Sequence, residues 1–379
     1  MEINDGEVPP WLLSQYHKIN DLNYDISYNT FECNISSELI NKKNEINQYE
    51  EEHKWELAKK LANPYEMVYS QEEKFLYPNL ALIKPLSRSY FKMIELLYVS
   101  NFFQEFKHVH FFRSVNVAEG PGGFIQAFID VSEQNRKKVK KIDAITLRSE
   151  THYVPGWKKA NSFIKRYSDV LHISYGYDTT GDINNYLNQE QFVNSIEQKA
   201  HIFTADGGFD FSTDYTQQEK LIFQLLVSSF IVALQTLIIN GHCYIKLFDT
   251  YSNSTKTLLM LCGSCFKEFS IYKPAISRPC NSERYFIGKG LKNSNKKVVD
   301  ILKMFQIQLQ NDMYPTMIID ASTEEYINTI SSNLEKKQIE HINLAKQFAE
   351  NPDLHKEFYQ KHLQKSIQFC KDMKIVMKK

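Results

Sequence analysis

A glycine-rich stretch is the first feature of this sequence that could do chemistry. Residues 116–128 read NVAEGPGGFIQAF and place three glycines and a proline between an apolar run and a helical pattern. Because glycine has no side chain, such a stretch is typical of a loop whose backbone a ligand approaches closely. The alternative is a tight turn without a ligand, but permissive backbone lowers stability and is usually retained where function needs it.

The spacing of the glycines argues against a dinucleotide as that ligand. Gly120 and Gly122 fit the first two positions of a G-x-G-x-x-G motif, but the third position is Ile125, where glycine allows helix and strand to pack closely. The next strand pattern ends in AITLR and has no acidic residue to bind a ribose hydroxyl. The loop therefore favours a ligand without a pyrophosphate, and an NAD-dependent oxidoreductase is disfavoured.

Alternating strand and helix patterns begin near residue 81 and would position this loop. The predicted strands are, in order, SVNVAEG, KIDAITL, VLHISYG, HIFTADGG, HCYIKLF, EFSIYKP and ERYFIGKG, with helical patterns between them that include GGFIQAFIDVSEQN, 213–239 and 253–264. This order predicts an α/β fold with a doubly wound, parallel sheet, in which ligands bind at the carboxyl ends of the strands. The glycine loop, ADGG and KLFD all fall at such ends.

The segments before and after this region have helical patterns without alternating strands. Residues 1–80 are polar with helical stretches such as EEHKWELAKKLA, and helical patterns return after Gly290 in KKVVDILKMFQIQLQ and IEHINLAKQFAE. We therefore predict a helical N-terminal extension (1–80), a catalytic domain (81–292) and a helical C-terminal extension (293–379).

Composition excludes several classes of protein. The chain is 42% hydrophobic and 24% charged with no formal net charge, so a nucleic-acid surface would have to be local. CGSC at 262–265 is the only CxxC pair among six cysteines. A zinc site would need two more ligands nearby, so buried thiols are favoured over a metal site. The acidic N-terminus does not read as a signal peptide. The apolar segment 221–239 is interrupted by Gln and Ser and precedes a strand, so we expect a buried helix and no membrane association.

Five stretches together resemble one known family. EGPGGF resembles the S-adenosylmethionine (SAM) loop of the FtsJ-like ribose 2′-O-methyltransferases. The other matches follow in the family's order, over roughly residues 81–290: SRSYFKMIELL (87–97), TADGGFD (204–210), YIKLFD (244–249) and KPAISRPCNSERY (273–285). TGDI at 180–183 and the KP..SRP.NSE.Y pattern look most like the mRNA cap-specific enzymes of eukaryotes and large DNA viruses. The resemblance implies a Rossmann-like SAM-dependent methyltransferase sheet, mostly parallel with one antiparallel strand.

The resemblance also implies where SAM binds. Family members usually carry an acidic residue near the second strand for the ribose of the cofactor, and here Glu150 or Asp182 would serve. The implied cofactor-binding residues are Glu119, Gly120, Pro121, Gly122, Gly123, Phe124, Leu147, Asp182 and Asp206.

A catalytic tetrad of Lys92, Asp206, Lys246 and Glu283 is likewise implied by the resemblance. Methyl transfer from a sulfonium to a hydroxyl is an in-line displacement, so positioning and activation of the hydroxyl carry the catalysis. Lysine, with a reference pKa of about 10.4, is a poor base near neutrality, but two ammonium groups close together disfavour charging both. We expect Lys246 to act as the base and Lys92 to supply the repelling charge, with Asp206 and Glu283 orienting them. No metal is required.

The expected substrate is RNA, at the capped 5′ end of mRNA, with other capping-machinery subunits as candidate partners. Tyr24, Tyr28 and Phe31 could stack on a cap base, and Lys273 and Arg278 could meet phosphates or simply be solvated. Methylation of rRNA or tRNA ribose, and a catalytically idle RNA-binding subunit, remain alternatives. The expected location is the cytoplasm, including a viral factory or virion, or the nucleus if the protein is cellular.

Overall fold

The computed structural model describes residues 9–12, 15–20, 22, 24–70, 76–148, 156–208, 216–293 and 295–378, with Lys158 described by its backbone alone. Within these residues the strands are β1 (Ile26–Asn29), β2 (Phe111–Val117), β3 (Lys138–Ile145), β4 (Leu171–Ser174), β5 (Ala200–Ala205), β6 (Leu237–Phe248), β7 (Phe266–Tyr272), β8 (Glu283–Leu291) and β9 (Tyr314–Met317). The helices are α1 (Ser37–Glu51), α2 (Trp55–Leu61), α3 (Ser89–Val99), α4 (Phe102–Glu105), α5 (Gly123–Gln134), α6 (Asn161–Arg166), α7 (Tyr186–Ser195), α8 (Gln218–Thr236), α9 (Asn253–Ser264), α10 (Lys296–Leu309), α11 (Ala321–Glu350) and α12 (His355–Asp372).

Seven strands form one sheet in the order β4-β3-β2-β5-β6-β8-β7. β8 runs antiparallel to both of its neighbours, whereas the other pairs are parallel. Every residue of β5 and of β8 is buried, because helices cover both faces of such a sheet. The predicted Rossmann-like sheet with one antiparallel strand is confirmed.

The apolar segment after residue 217 forms the central helix α8. Among the described residues it is the one helix long and apolar enough to cross a bilayer, and 78% of its most apolar window is buried inside the protein. The predicted helix of 213–239 extended too far. Leu237 already pairs with Ala200 of β5, since the β-branched pair Ile238–Ile239 suits a strand. Residues 209–215 lie outside the described part of the chain.

The two flanking segments pack against each other. β1 from the N-terminal segment pairs antiparallel with β9 from the C-terminal segment, and each therefore contributes a strand where only helices were expected. A separate apolar cluster combines side chains of α1, α2 and α11, including Leu39, Trp55 and Phe348, with Tyr251 and Cys280 of the catalytic domain. The predicted domain boundaries remain predictions, but both flanks pack against residues of the loop after β6 and of the β7–β8 loop.

Candidate active site

The glycine loop lies at the carboxyl end of β2 and leads directly into α5. Gly122 has a φ of +103°, which a side chain rarely adopts, and a Cβ there would lie 3.2 Å from the ring of Trp157. A Cβ on Gly123 would lie 2.2 Å from the hydroxyls of Ser87 and Ser89. Gly123 is therefore accounted for by the close approach of α3, a role that the sequence did not reveal.

The residues next to the glycines can offer backbone groups to a ligand. Phe124 is fully buried and packs against Tyr285 at 5.9 Å between ring centroids, so only its backbone can meet a ligand. The first turn of α5 has no side-chain cap, which leaves its N–H groups available for an anionic group. Gly120 and Pro121 complete the turn before it.

Glu119 is the buried acid of this loop. Its side chain accepts a hydrogen bond of 2.5 Å from Thr204, which in turn accepts one of 2.7 Å from Asn116. Burial, and then the nearby carboxylate of Asp206, raise the pKa of Glu119 well above its ordinary value. Burial and the Asp206 charge therefore shift the protonation equilibrium of Glu119 toward its neutral form.

TGDI forms a loop that closes over the end of β3. Gly181 has a φ of +71°, and a Cβ there would lie 1.9 Å from the carbonyl oxygen of Thr146. Leu147 follows Thr146 and leaves its side chain 38% exposed, while the carboxylate of half-buried Asp182 accepts a 2.9 Å hydrogen bond from the N–H of Asn184. Leu147 and Asp182 thus lie on neighbouring segments beside the glycine loop. Glu150 lies outside the described residues.

The four predicted catalytic residues assemble as two ion pairs. Lys92 of α3 donates to Glu283 at the start of β8 at 2.7 Å. Lys246 of β6 lies 3.3 Å from the Asp206 carboxylate and donates to the Asp206 carbonyl oxygen at 2.6 Å. All four side chains are largely buried, between 8% and 16% exposed. Glu283 and Asp206 thus contact Lys92 and Lys246 respectively, in positions that suit the predicted orienting role of the two acids.

Buried charges fix the ionisation of Glu283. Burial alone would raise its pKa, but the charges of Lys92 and Lys246 and the Lys92 hydrogen bond outweigh burial and lower the pKa to about 2. Ser277 donates to the other carboxylate oxygen at 2.7 Å. Glu283 therefore remains a carboxylate at neutral pH.

Sequence reasoning missed two side chains that hold the tetrad. Tyr285 is fully buried and donates to Asp206 at 2.7 Å, and burial, followed by the Asp206 charge, raises its pKa well above the ordinary value. Ser277 holds Glu283 as described above. Both residues belong to the KPAISRPCNSERY stretch, so the signal was the motif itself, but nothing in the sequence showed which side chains point inward.

Lys273 and Arg278, for which phosphate contact and solvation were both open, instead bind groups of the protein itself. Lys273 donates to the carbonyl oxygens of Asn281 and Glu283, each at 2.8 Å, and burial lowers its pKa to about 7. Arg278 forms two hydrogen bonds with Glu66 at 2.8 and 3.1 Å. Their contacts are structural, because these two side chains anchor the β7–β8 loop.

The aromatic residues proposed for cap stacking also pack internally. Tyr28 contacts Phe305, Phe31 contacts Tyr314, and Lys297 covers the ring of Tyr24 at 3.7 Å. The described residues contain no cluster of ligands that could hold a metal ion. Cys262 and Cys265 are buried free thiols.

A cavity of about 120 Å³, a volume that would hold a few water molecules, adjoins the start of β8. Both flanking segments line it, with Trp55 and Lys59 from the N-terminal segment and Gln338 from the C-terminal segment, together with Asn281 and Ser282. Both flanking segments therefore share a cavity with Ser282, the residue directly before Glu283.

Comparison with known proteins identifies the family. The sequence model of the FtsJ-like methyltransferases matches residues 85–291. Two curated relatives are cap-specific mRNA (nucleoside-2′-O-)-methyltransferase 1 of Homo sapiens, 29% identical over 66% of this chain and 30% of the relative, and that of Dictyostelium discoideum, 26% identical over 79% and 41%. The chain thus spans well under half the length of these relatives.

Among solved structures, a ribosomal RNA methyltransferase from Plasmodium falciparum aligns with a TM-score of 0.37 and 17% identity, covering 55% of this chain and 99% of that one. The family match covers more than half of this chain and contains the glycine loop, both lysines and both tetrad acids. The chain therefore belongs to the FtsJ-like methyltransferase family.

Proposed function

We propose that this protein transfers a methyl group from SAM to a ribose 2′-hydroxyl of RNA, near the capped 5′ end of mRNA. The observation that carries the proposal is the assembly of two lysine–carboxylate pairs, from α3, β6, the start of β8 and the residue directly after β5, beside the glycine loop. The names of the curated relatives support the cap-proximal substrate.

The residues at these strand ends suit SAM as methyl donor. The exposed side chain of Leu147 offers apolar surface for an adenine, Asp182 offers a carboxylate for ribose hydroxyls, and the uncapped first turn of α5 offers N–H groups for a carboxylate. When bound, SAM supplies the electrophilic methyl group. No metal enters the proposal.

The protein's own residues would prepare the hydroxyl. Glu283, held ionised, keeps Lys92 in place at 2.7 Å, and Asp206 with Tyr285 fixes Lys246. To act as the base, Lys246 would first release the proton of its ammonium group and then take the proton of the ribose hydroxyl, after which Asp206 again stabilises the ammonium form. Gly208, where a Cβ would lie 3.3 Å from the Lys246 amine, leaves the approach to that amine clear of a side chain.

Methyl transfer to matched RNAs tests the proposal. Radiolabelled SAM is offered with short capped RNA and with the same RNA uncapped, and nuclease digestion locates the label. We expect faster labelling of the capped RNA at a cap-proximal 2′-oxygen. Equal rates or internal label would favour the rRNA or tRNA alternative. No transfer, with RNA still bound, would favour the idle RNA-binding subunit.

A further inference from the structure

Glu66, in the N-terminal segment, is a buried carboxylate that joins two arginines. It is 1% exposed and accepts from Arg278 at 2.8 and 3.1 Å, from Arg88 at 2.9 Å and from Asn63 at 2.8 Å. Burial alone would raise the pKa of Glu66, but the two guanidinium groups lower it to about 2. Glu66 therefore stays charged, and its position is fixed by four hydrogen bonds or ion-pair contacts.

Each arginine belongs to a segment that carries a tetrad residue. Arg88 precedes Lys92 by one helical turn and also donates to the carbonyl oxygen of Ile276 at 2.7 Å. Arg278 lies in the β7–β8 loop directly after Ser277, which donates to Glu283. Glu66 thus connects the segment that carries Lys92 with the segment that carries Glu283, in addition to the ion pair that these two residues form with each other.

A second buried ion pair also connects the N-terminal segment with the catalytic domain close to the tetrad. Lys43 of α1 is 2% exposed and lies 2.8 Å from Asp249, which also lies 3.2 Å from Arg284. Asp249 follows Lys246 by three residues, and Arg284 follows Glu283. The N-terminal segment therefore also contacts the carboxylate that links the end of β6 to the start of β8.

We propose that Glu66 is a positioning residue for the Lys92–Glu283 pair, so that the N-terminal segment forms part of the catalytic apparatus. The proposal rests on the proposed methyl transfer. A misplacement of catalytic groups by about 1 Å can lower a rate on the order of 100-fold. Exchange of one Glu66 oxygen for an amide nitrogen turns that contact with a guanidinium from attraction to repulsion.

Glu66→Gln is the first test, with Glu51→Gln on the exposed end of α1 as the matched control. We expect Glu66→Gln to lower kcat by roughly 10- to 100-fold while the Kd for SAM stays close to that of Glu51→Gln. The Tm should fall as well, because Arg88 and Arg278 lose their buried counter-charge, so kcat is compared at a temperature at which both variants are folded. Glu66→Asp keeps the charge but is too short to reach both arginines, so its kcat should lie between those of the wild type and Glu66→Gln. Wild-type kcat in Glu66→Gln, or a loss of SAM binding in step with kcat, would overturn the proposal.

Two further measurements keep the test decisive. If Glu66→Gln does not fold, Arg278→Lys replaces a bidentate fork with a single ammonium, and a lower kcat at unchanged SAM affinity is expected, whereas unchanged kcat counts against the proposal. Hydrogen exchange separates this idea from the methyl-transfer proposal. In Glu66→Gln, the amides of peptides 88–97 and 273–283 should both exchange faster than in the wild type. This expectation holds even if the wild type methylates no RNA. Unchanged exchange in both peptides would refute the idea that Glu66 connects the two segments.

Discussion

The site has two halves that are built in different ways. One half, which is proposed to bind SAM and is called the cofactor half, consists of the turns after β2 and β3 and the TGDI loop. Backbone conformation decides its shape, as at Gly122 and Gly181 with positive φ. The tetrad half is made of side chains from α3, β6, the start of β8 and the residue directly after β5, and Lys92 and Glu283 in it lie 191 residues apart. Short sequence motifs determine the first half, and long-range ion pairs determine the second.

This difference decides what each half tolerates. Glycine turns fail through strain and steric overlap, which are local and cost about 1–3 kcal/mol each. Buried ion pairs fail through an unpaired charge, which costs about 3–5 kcal/mol and is felt by every element that the pair joins. Substitutions in the tetrad half should therefore have the larger and more widely transmitted effects.

The largest expected effect is that of Lys246→Ala. Loss of a general base lowers a rate by roughly 100- to 10,000-fold, whereas SAM affinity should change little because the base acts on the transition state. Single-turnover methyl transfer and equilibrium SAM binding measure the two quantities. Lys138→Ala, at the exposed start of β3 and therefore at the amino ends of the parallel strands, away from the site at their carboxyl ends, is the control and should match the wild type. Undiminished transfer by Lys246→Ala would show that the base is another residue.

The same difference explains what the sequence could and could not predict. The order of strands and the glycine turn followed from local patterns, and the grouping of Lys92, Asp206, Lys246 and Glu283 followed from a family resemblance. The ion-pair partners did not follow, because Arg278 and Lys273 have the composition of a solvated loop but pair with groups from distant segments. β1 and β9 were missed for a related reason: each is four residues long and exists only through the other.

The second prediction concerns Glu95, which lies behind the tetrad. It is fully buried and accepts from Tyr272 and from the N–H groups of Ala275 and Ile276. Because no cation is among these donors, burial dominates and raises its pKa to about 7. The native state therefore binds a proton that the unfolded state releases between pH 4.5 and 7, and the stability from this group is lost as pH rises through that window.

Glu95→Gln should remove this dependence, since glutamine resembles the protonated acid. Between pH 5 and pH 7.5 the wild type should lose up to about 3 kcal/mol more than Glu95→Gln in the free energy of unfolding, as measured by urea titration. Glu283→Gln should differ from the wild type with the opposite sign. Because the pKa of Glu283 is lowered to about 2, its stabilisation is lost as pH falls from 4.5 to 2. Parallel curves for wild type and Glu95→Gln would mean that Glu95 is ionised in the native protein.

In the cofactor half, Gly122→Val should weaken SAM binding by roughly 10- to 100-fold, from about 1–3 kcal/mol of backbone strain and contact with Trp157. Isothermal titration measures the affinity. Gly156→Ala is the control, because a Cβ there meets nothing within 4 Å. Equal weakening by both variants would mean that the segment before Trp157, and not the left-handed turn, limits binding.

The smallest expected effect is that of Asp182→Asn. The asparagine oxygen can still accept the N–H of Asn184, so the loop keeps its shape and only the charge that would face a ribose hydroxyl is removed. A hydrogen bond to a charged group exceeds one to a neutral group by about 1 kcal/mol, so SAM affinity should fall by roughly 3- to 10-fold. Competition binding resolves such a difference, with exposed Asp169→Asn as the control.

The size of this effect decides how the cofactor half is built. A fall of a few-fold, with adenosine weakened as much as SAM and methionine unaffected, would place Asp182 at the ribose and leave the glycine loop to hold the amino-acid end. No change in either affinity would assign the ribose to a residue outside the described part of the chain, where Glu150 lies. A fall far beyond 10-fold would mean that this loop, like the tetrad, depends on a charge.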